Sequence, residues 1–253
     1  MLIEKSKMKT SKGTIQYHFS GNGNPTIVLI NGGSGPIEGW MKILPEISKS
    51  SSVFAYNRFG VTASDKPREP QDGITIVETL REALNIVEYK PPYLLVGHSL
   101  GGLYANLFAR LYPHEVGGIV FLESSHPKDI YLDEYQSKAV KVMNKLFSLF
   151  DSISAHKKFN EVHFVKKTVQ QIQETEAFPQ IPVYVMTGGK KNRLMPKEVQ
   201  KKRMDHQLDL LSLSRYSKHI IAENSGHFPQ LSQPKEVIDT IKECLDQVKQ
   251  SMM

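Results

Sequence analysis

Tyr93-Leu94-Leu95-Val96-Gly97-His98-Ser99-Leu100-Gly101-Gly102 is the stretch whose reading decides the fold of this 253-residue chain. An apolar run, Tyr93 to Val96, meets a glycine-rich turn, and a helix-like segment follows until Tyr112 and Pro113. Read as strand, tight turn and helix, the stretch carries Ser99 at its tip. Gly-x-Ser-x-Gly is a weak signal alone, since at about 7% glycine and serine roughly one chain of this length in ten would carry it by chance. The setting gives it weight. A serine in a strained turn between strand and helix leaves no room for side chains two positions away, which is a steric reason for Gly97 and Gly101. The N–H of Leu100 then opens the helix, where unpaired donors and the positive dipole end suit a developing oxyanion. Ser99 is the candidate nucleophile.

On these residues the chain resembles the α/β-hydrolase superfamily, and the resemblance extends over nearly the whole sequence. It implies an α/β fold in which helices flank both faces of a mostly parallel eight-stranded sheet, with a helical cap insertion. It also implies a catalytic triad of serine, acid and histidine in that chain order.

Composition bounds this reading. Forty per cent hydrophobic content over 253 residues supports a large core and one α/β domain. No apolar run approaches the roughly 18 residues of a membrane span. The first residues, Met1-Leu2-Ile3-Glu4-Lys5-Ser6-Lys7, carry charge with no apolar stretch behind them, so a cytoplasmic location is expected. The single cysteine, Cys244, excludes an intramolecular disulfide and falls on an apolar helix side with Val237, Ile241, Leu245 and Val248. Net charge is +6, yet the lysines are scattered and no nucleic-acid-binding motif accompanies them. The charge reads as a solvated surface, and no nucleic-acid partner is expected.

Upstream of the elbow, strands are expected over Lys9 to Ser20, with Gly13 as a turn, and over Thr26 to Ile30. The latter ends in Asn31-Gly32-Gly33-Ser34-Gly35-Pro36, where the family carries its oxyanion loop. That loop usually begins His-Gly, and Asn31 replaces the His. The resemblance implies a backbone donor near its third position, so Gly33 with Leu100 is the expected oxyanion hole. Ser34 is the less favoured donor and a substrate-binding candidate. A helix is expected over Trp40 to Ser48 and a strand over Val53 to Tyr56. The loop Asn57-Arg58-Phe59-Gly60-Val61-Thr62-Ala63-Ser64 is similar to the family's Asp-Arg-x-Gly-x-Gly-x-Ser, from which Asn57 and Ala63 depart. Asp65 reads as a turn former. Ile74 to Glu88 has the spacing of a helix, with Ile76, Leu80, Leu84 and Val87 on one face.

Downstream, the apolar strand Gly118 to Leu122 ends on Glu123, at the sheet edge where open α/β folds place their sites. The family's alternative acid position follows the next strand, Pro182 to Thr187. The loop there is Gly188-Gly189-Lys190-Lys191-Asn192-Arg193, which offers no carboxylate, and Glu198 falls inside a helix expected from Pro196 to Leu213. Glu123 is therefore the expected acid. Between the two strands, Val140, Met143, Phe147 and Phe150 form one helical apolar stripe, and Val162, Val165, Val169 and Ile172 another. The resemblance implies that this insertion, at about 128–180, caps the site, which makes Phe147 and Phe150 candidate substrate contacts. His126 reads as a satisfied loop histidine. Ser225-Gly226-His227 follows the strand His219 to Ala222 and precedes a helix from Pro234 to Gln250, where the family carries its base. His227 is the choice among nine histidines.

Together these residues imply acyl transfer from a small-molecule substrate to water, with no metal or organic cofactor. A carboxylic ester hydrolase is the leading reading. Lactonase, aminopeptidase and carbon–carbon hydrolase chemistry would use the same triad, and a small-molecule receptor with little turnover would keep the same residues.

Overall fold

The computed structural model describes residues 3–135, 157–190 and 195–252. Ser6–Thr10 (β1) and Gly13–Ser20 (β2) form a hairpin that turns through Gly13, whose φ of +142° suits glycine. The first strand starts earlier than the expected Lys9, because Met8 is buried opposite Ile15 and extends the pairing back to Ser6. Six further strands follow: Thr26–Ile30 (β3), Val53–Asn57 (β4), Tyr93–His98 (β5), Val116–Leu122 (β6), Val183–Gly188 (β7) and Ser217–Ala222 (β8). They form one eight-stranded sheet in the order β1-β2-β4-β3-β5-β6-β7-β8. Only the pairs β1/β2 and β2/β4 are antiparallel.

Strands buried on both faces need apolar side chains on both, and β3 divides its own accordingly. Val28 and Ile30 join one core, while Ile27 and Leu29 join the other. The helices cover these two cores. Leu44–Ile47 (α1) is far shorter than the expected helix, and a separate 3-10 turn occupies Ile37–Trp40. Pro45 explains the break: without an N–H and with its ring against the preceding turn, it is tolerated only at a helix start. Gly73–Ile86 (α2) is capped by Asp72, whose side chain accepts the Thr75 N–H at 3.0 Å. Gly101–Leu111 (α3) follows the elbow, and Val165–Glu174 (α4) packs against both α2 and α3 with Val169 and Ile172 buried.

Lys197–Asp209 (α5) tightens into a 3-10 turn over Leu210–Leu213, where one continuous helix was expected. After Pro229–Ser232 (α6), Pro234–Ser251 (α7) buries Val237, Ile241, Cys244, Leu245 and Val248. Burial pushes the Cys244 thiol pKa up, so it stays protonated. Among the described residues no helix is long and apolar enough to cross a membrane.

The described part of the insertion between β6 and β7 comprises residues 128–135 and 157–180. Its second expected stripe is split: Val169 and Ile172 face the main core, while Val162 sits in a 3-10 turn, Glu161–Phe164, and is 43% exposed. The first stripe, with Phe147 and Phe150, lies outside the described residues.

Candidate active site

Ser99, Glu123 and His227 meet at the C-terminal ends of β5, β6 and β8. Ser99 has φ +51°, a left-handed conformation that costs a non-glycine residue about 1–2 kcal/mol. Close packing holds it there. A Cβ on Gly97 would stand 2.8 Å from the Gly101 carbonyl oxygen, and one on Gly101 would stand 2.2 Å from that of Ile30. The turn can therefore be this tight only with glycine on both sides of the serine.

His227 Nε2 lies 3.0 Å from Ser99 Oγ, and its Nδ1 lies 3.4 Å from Glu123 Oε2. The other carboxylate oxygen, Oε1, accepts the Gly188 N–H at 2.7 Å. Arg203 of α5 approaches Oε2 at 3.6 Å. Burial alone would raise the Glu123 pKa, but the bond to His227, the Arg203 charge and the Gly188 N–H outweigh it and hold the carboxyl below its ordinary value. Glu198 and Asp205 are exposed on α5.

His98, beside the serine, has a structural task that its sequence position did not signal. Its ring lies 5.0 Å from that of His227, and its Nε2 donates to the His227 carbonyl at 2.7 Å. Burial, and then the neighbouring His227, push the His98 pKa down to about 3. It is a neutral donor that fastens the loop of His227 to the elbow. His126 stays apart, stacked on His206 and 3.3 Å from Asp209.

The loop from Asn31 to Pro36 packs on the elbow: a Cβ on Gly32 would stand 3.2 Å from Ser99 Cβ, and one on Gly33 would stand 3.5 Å from Leu100 Cδ2. Among the described residues the N–H groups of Gly33 and Leu100 donate no hydrogen bond, whereas that of Ser34 is taken by Glu161 Oε1 at 2.6 Å. Asn31 serves the loop's base, donating to the Tyr56 carbonyl at 3.1 Å and accepting from Trp40 Nε1. Asn57 accepts the Ile37 N–H at 2.8 Å, and Ser64 Oγ donates to the Asn57 carbonyl at 2.7 Å, so both motif positions knot loops together. Asp65 accepts the Thr14 N–H at 2.8 Å in a turn. An open cleft of about 970 Å³ adjoins the Glu123 and His227 side of the site, and its lining includes Lys190, Lys197, Lys201 and Arg203.

A sequence profile of the family described as alpha/beta hydrolase fold matches residues 25–152, half of the chain. The Bacillus subtilis protein YqjL is 26% identical over 216 residues, covering 83% of this chain and 79% of YqjL. The human (lyso)-N-acylphosphatidylethanolamine lipase is 27% identical over 109 residues, which is 40% of this chain and 31% of the lipase. Carboxylesterase CesB of Bacillus subtilis, a solved structure, shares the fold with a TM-score of 0.68 at 18% identity, over 97% of this chain and 92% of CesB. With the sheet order, the elbow and the profile match in agreement, the chain belongs to the α/β-hydrolase family.

Proposed function

We propose that this protein is a serine hydrolase that cleaves carboxylic esters of small or medium, mainly apolar substrates through an acyl-enzyme. The observation that carries the reading is the 3.0 Å approach of His227 Nε2 to Ser99 Oγ, with Glu123 on the opposite ring nitrogen. His227 takes the serine proton as Oγ attacks the ester carbonyl, and Glu123 stabilises the imidazolium that forms. The N–H groups of Gly33 and Leu100 receive the oxyanion. As the tetrahedral intermediate collapses, His227 returns its proton to the departing alcohol. Water then attacks the acyl-enzyme by the same proton route and releases the acid.

Two things favour an ester with apolar groups. Leu100 and the exposed Val162 flank Gly33 with hydrocarbon, and two of the similar proteins are described as a carboxylesterase and a lipase. The experiment is a series of p-nitrophenyl esters of graded chain length, with a lactone and an aminoacyl amide alongside. Serine-dependent turnover of the esters is expected, and Ser99→Ala should lower kcat by about 10³-fold or more. A folded Ser99→Ala variant that keeps most of the activity would remove the assignment.

A further inference from the structure

Arg58 and Glu161 are 103 residues apart in sequence, and their side chains, 3% and 5% exposed, meet beneath the loop that carries Gly33. Arg58 Nη1 donates to the Asn31 carbonyl at 2.9 Å and Nη2 to the Gly32 carbonyl at 2.5 Å. Its Nη2 also donates to Glu161 Oε1 at 2.8 Å, and its Nε donates to Oε2. Glu161 Oε1 in turn accepts the Ser34 N–H. The pair thus grips the residues on both sides of Gly33, whose own N–H donates no hydrogen bond among the described residues.

The cost of this arrangement suggests a geometric use. A buried ion pair is often no more stabilising than apolar side chains of similar volume, because both charges must leave water. Ser34 has φ +49°, a conformation that persists in a non-glycine residue only when its surroundings over-determine it. Here the Glu161 carboxylate on its N–H supplies that constraint. The next residue, Val162, completes the contact, since its Cγ2 lies 3.8 Å from where a Gly33 Cβ would stand. The segment that brings in the carboxylate therefore also touches Gly33.

We propose that Glu161 and Arg58 are positioning residues for the oxyanion hole, so that Gly33 is set for donation only while the segment Lys157–Phe164 is seated on the loop. This rests on the serine-hydrolase reading for its kinetic consequence, but the holding of the loop can be read without turnover. Two variants separate placement from stability. Glu161→Gln keeps the size and one carbonyl oxygen but leaves Arg58 without its counter-charge. The double variant Arg58→Met with Glu161→Met removes both charges, which a fold tolerates far better than removal of one.

Amide hydrogen exchange over residues 31–35 and steady-state kinetics on p-nitrophenyl butyrate are measured for each. Exchange in the loop should rise about tenfold or more while β3 and β5 keep their protection. Deleting one oxyanion donor costs about 10²–10³ in kcat, so a displaced donor should cost about 10–10² with KM within twofold. The double variant should fold and stay slow. Parent-like kcat in the folded double variant, or unchanged exchange at residues 31–35, would overturn the proposal. If the parent turns over no ester, the serine-hydrolase reading fails, and the exchange data still decide whether the pair holds the loop.

Discussion

Glu123 presents two acceptor oxygens to three donors: Oε1 to the Gly188 N–H at 2.7 Å, and Oε2 to His227 at 3.4 Å and Arg203 at 3.6 Å. Glu123→Gln keeps the side-chain size and leaves one acceptor. If the amide oxygen stays on Gly188, the amide N–H₂ faces His227 Nδ1 and favours the tautomer whose Nε2 bears the proton. Such a ring cannot accept the proton of Ser99. If the amide is turned round, its N–H₂ opposes the Gly188 N–H. Either way the charge that stabilises the imidazolium is gone.

An acid-to-amide change in a serine protease triad lowers kcat by about 10⁴. Two features moderate that figure here. The 3.4 Å separation is longer than a tight charge-assisted bond, and the His227 side chain is 38% exposed, so water shares in stabilising its charge. We expect kcat/KM to fall about 10²–10³-fold, which is about 2.7–4.1 kcal/mol. The assay is ester hydrolysis by Glu123→Gln beside Glu198→Gln and Asp205→Asn, with folding checked by circular dichroism. The reasoning is refuted if Glu123→Gln stays within a few-fold of the parent, and more so if one of the others collapses.

The same carboxyl makes a prediction for stability. Its pKa in the folded protein is below its ordinary value near 4.5, so its contribution is present above that value and lost as pH falls through the folded pKa. Urea denaturation should therefore show the stability gap between parent and Glu123→Gln narrowing as pH drops below about 4.5. Gly101→Ala would drive a methyl to within 2.2 Å of the Ile30 carbonyl oxygen, and should destabilise the fold by about 2–4 kcal/mol in the same measurement. Val162→Phe should fill space beside Gly33 and shift the ester chain-length optimum downward, because the exposed Val162 side chain flanks the proposed donor. An unchanged chain-length profile would place residue 162 outside the substrate path.

The elbow was legible in sequence because its causes are local. Strand, turn and helix are consecutive, and steric exclusion leaves glycine at positions 97 and 101 whatever surrounds them. The strands β3, β5 and β6 were legible for a related reason: each is a run of side chains apolar on both faces, which only a central sheet position can bury. Glu123 was the expected acid because the loop after β7 offers no carboxylate. The split of the expected helix at Trp40 to Ser48 was also written locally, in Pro45, although apolar spacing alone read through it.

Tertiary structure decided what depends on the path of the chain. Nothing near Glu161 distinguishes it from any other acidic residue of the insertion. Its 103-residue separation from Arg58 is closed only when α4 packs on α2 and α3 and draws the Lys157–Phe164 segment over the loop of residues 31–36. The bond between His98 and the His227 carbonyl spans 129 residues and exists because β5 and the loop after β8 end at the same sheet edge. Arg203 reaches Glu123 because α5 returns along that edge. Residue type and spacing record local sterics and periodic burial, whereas these partners are set by which distant segments the completed sheet brings within a few ångströms.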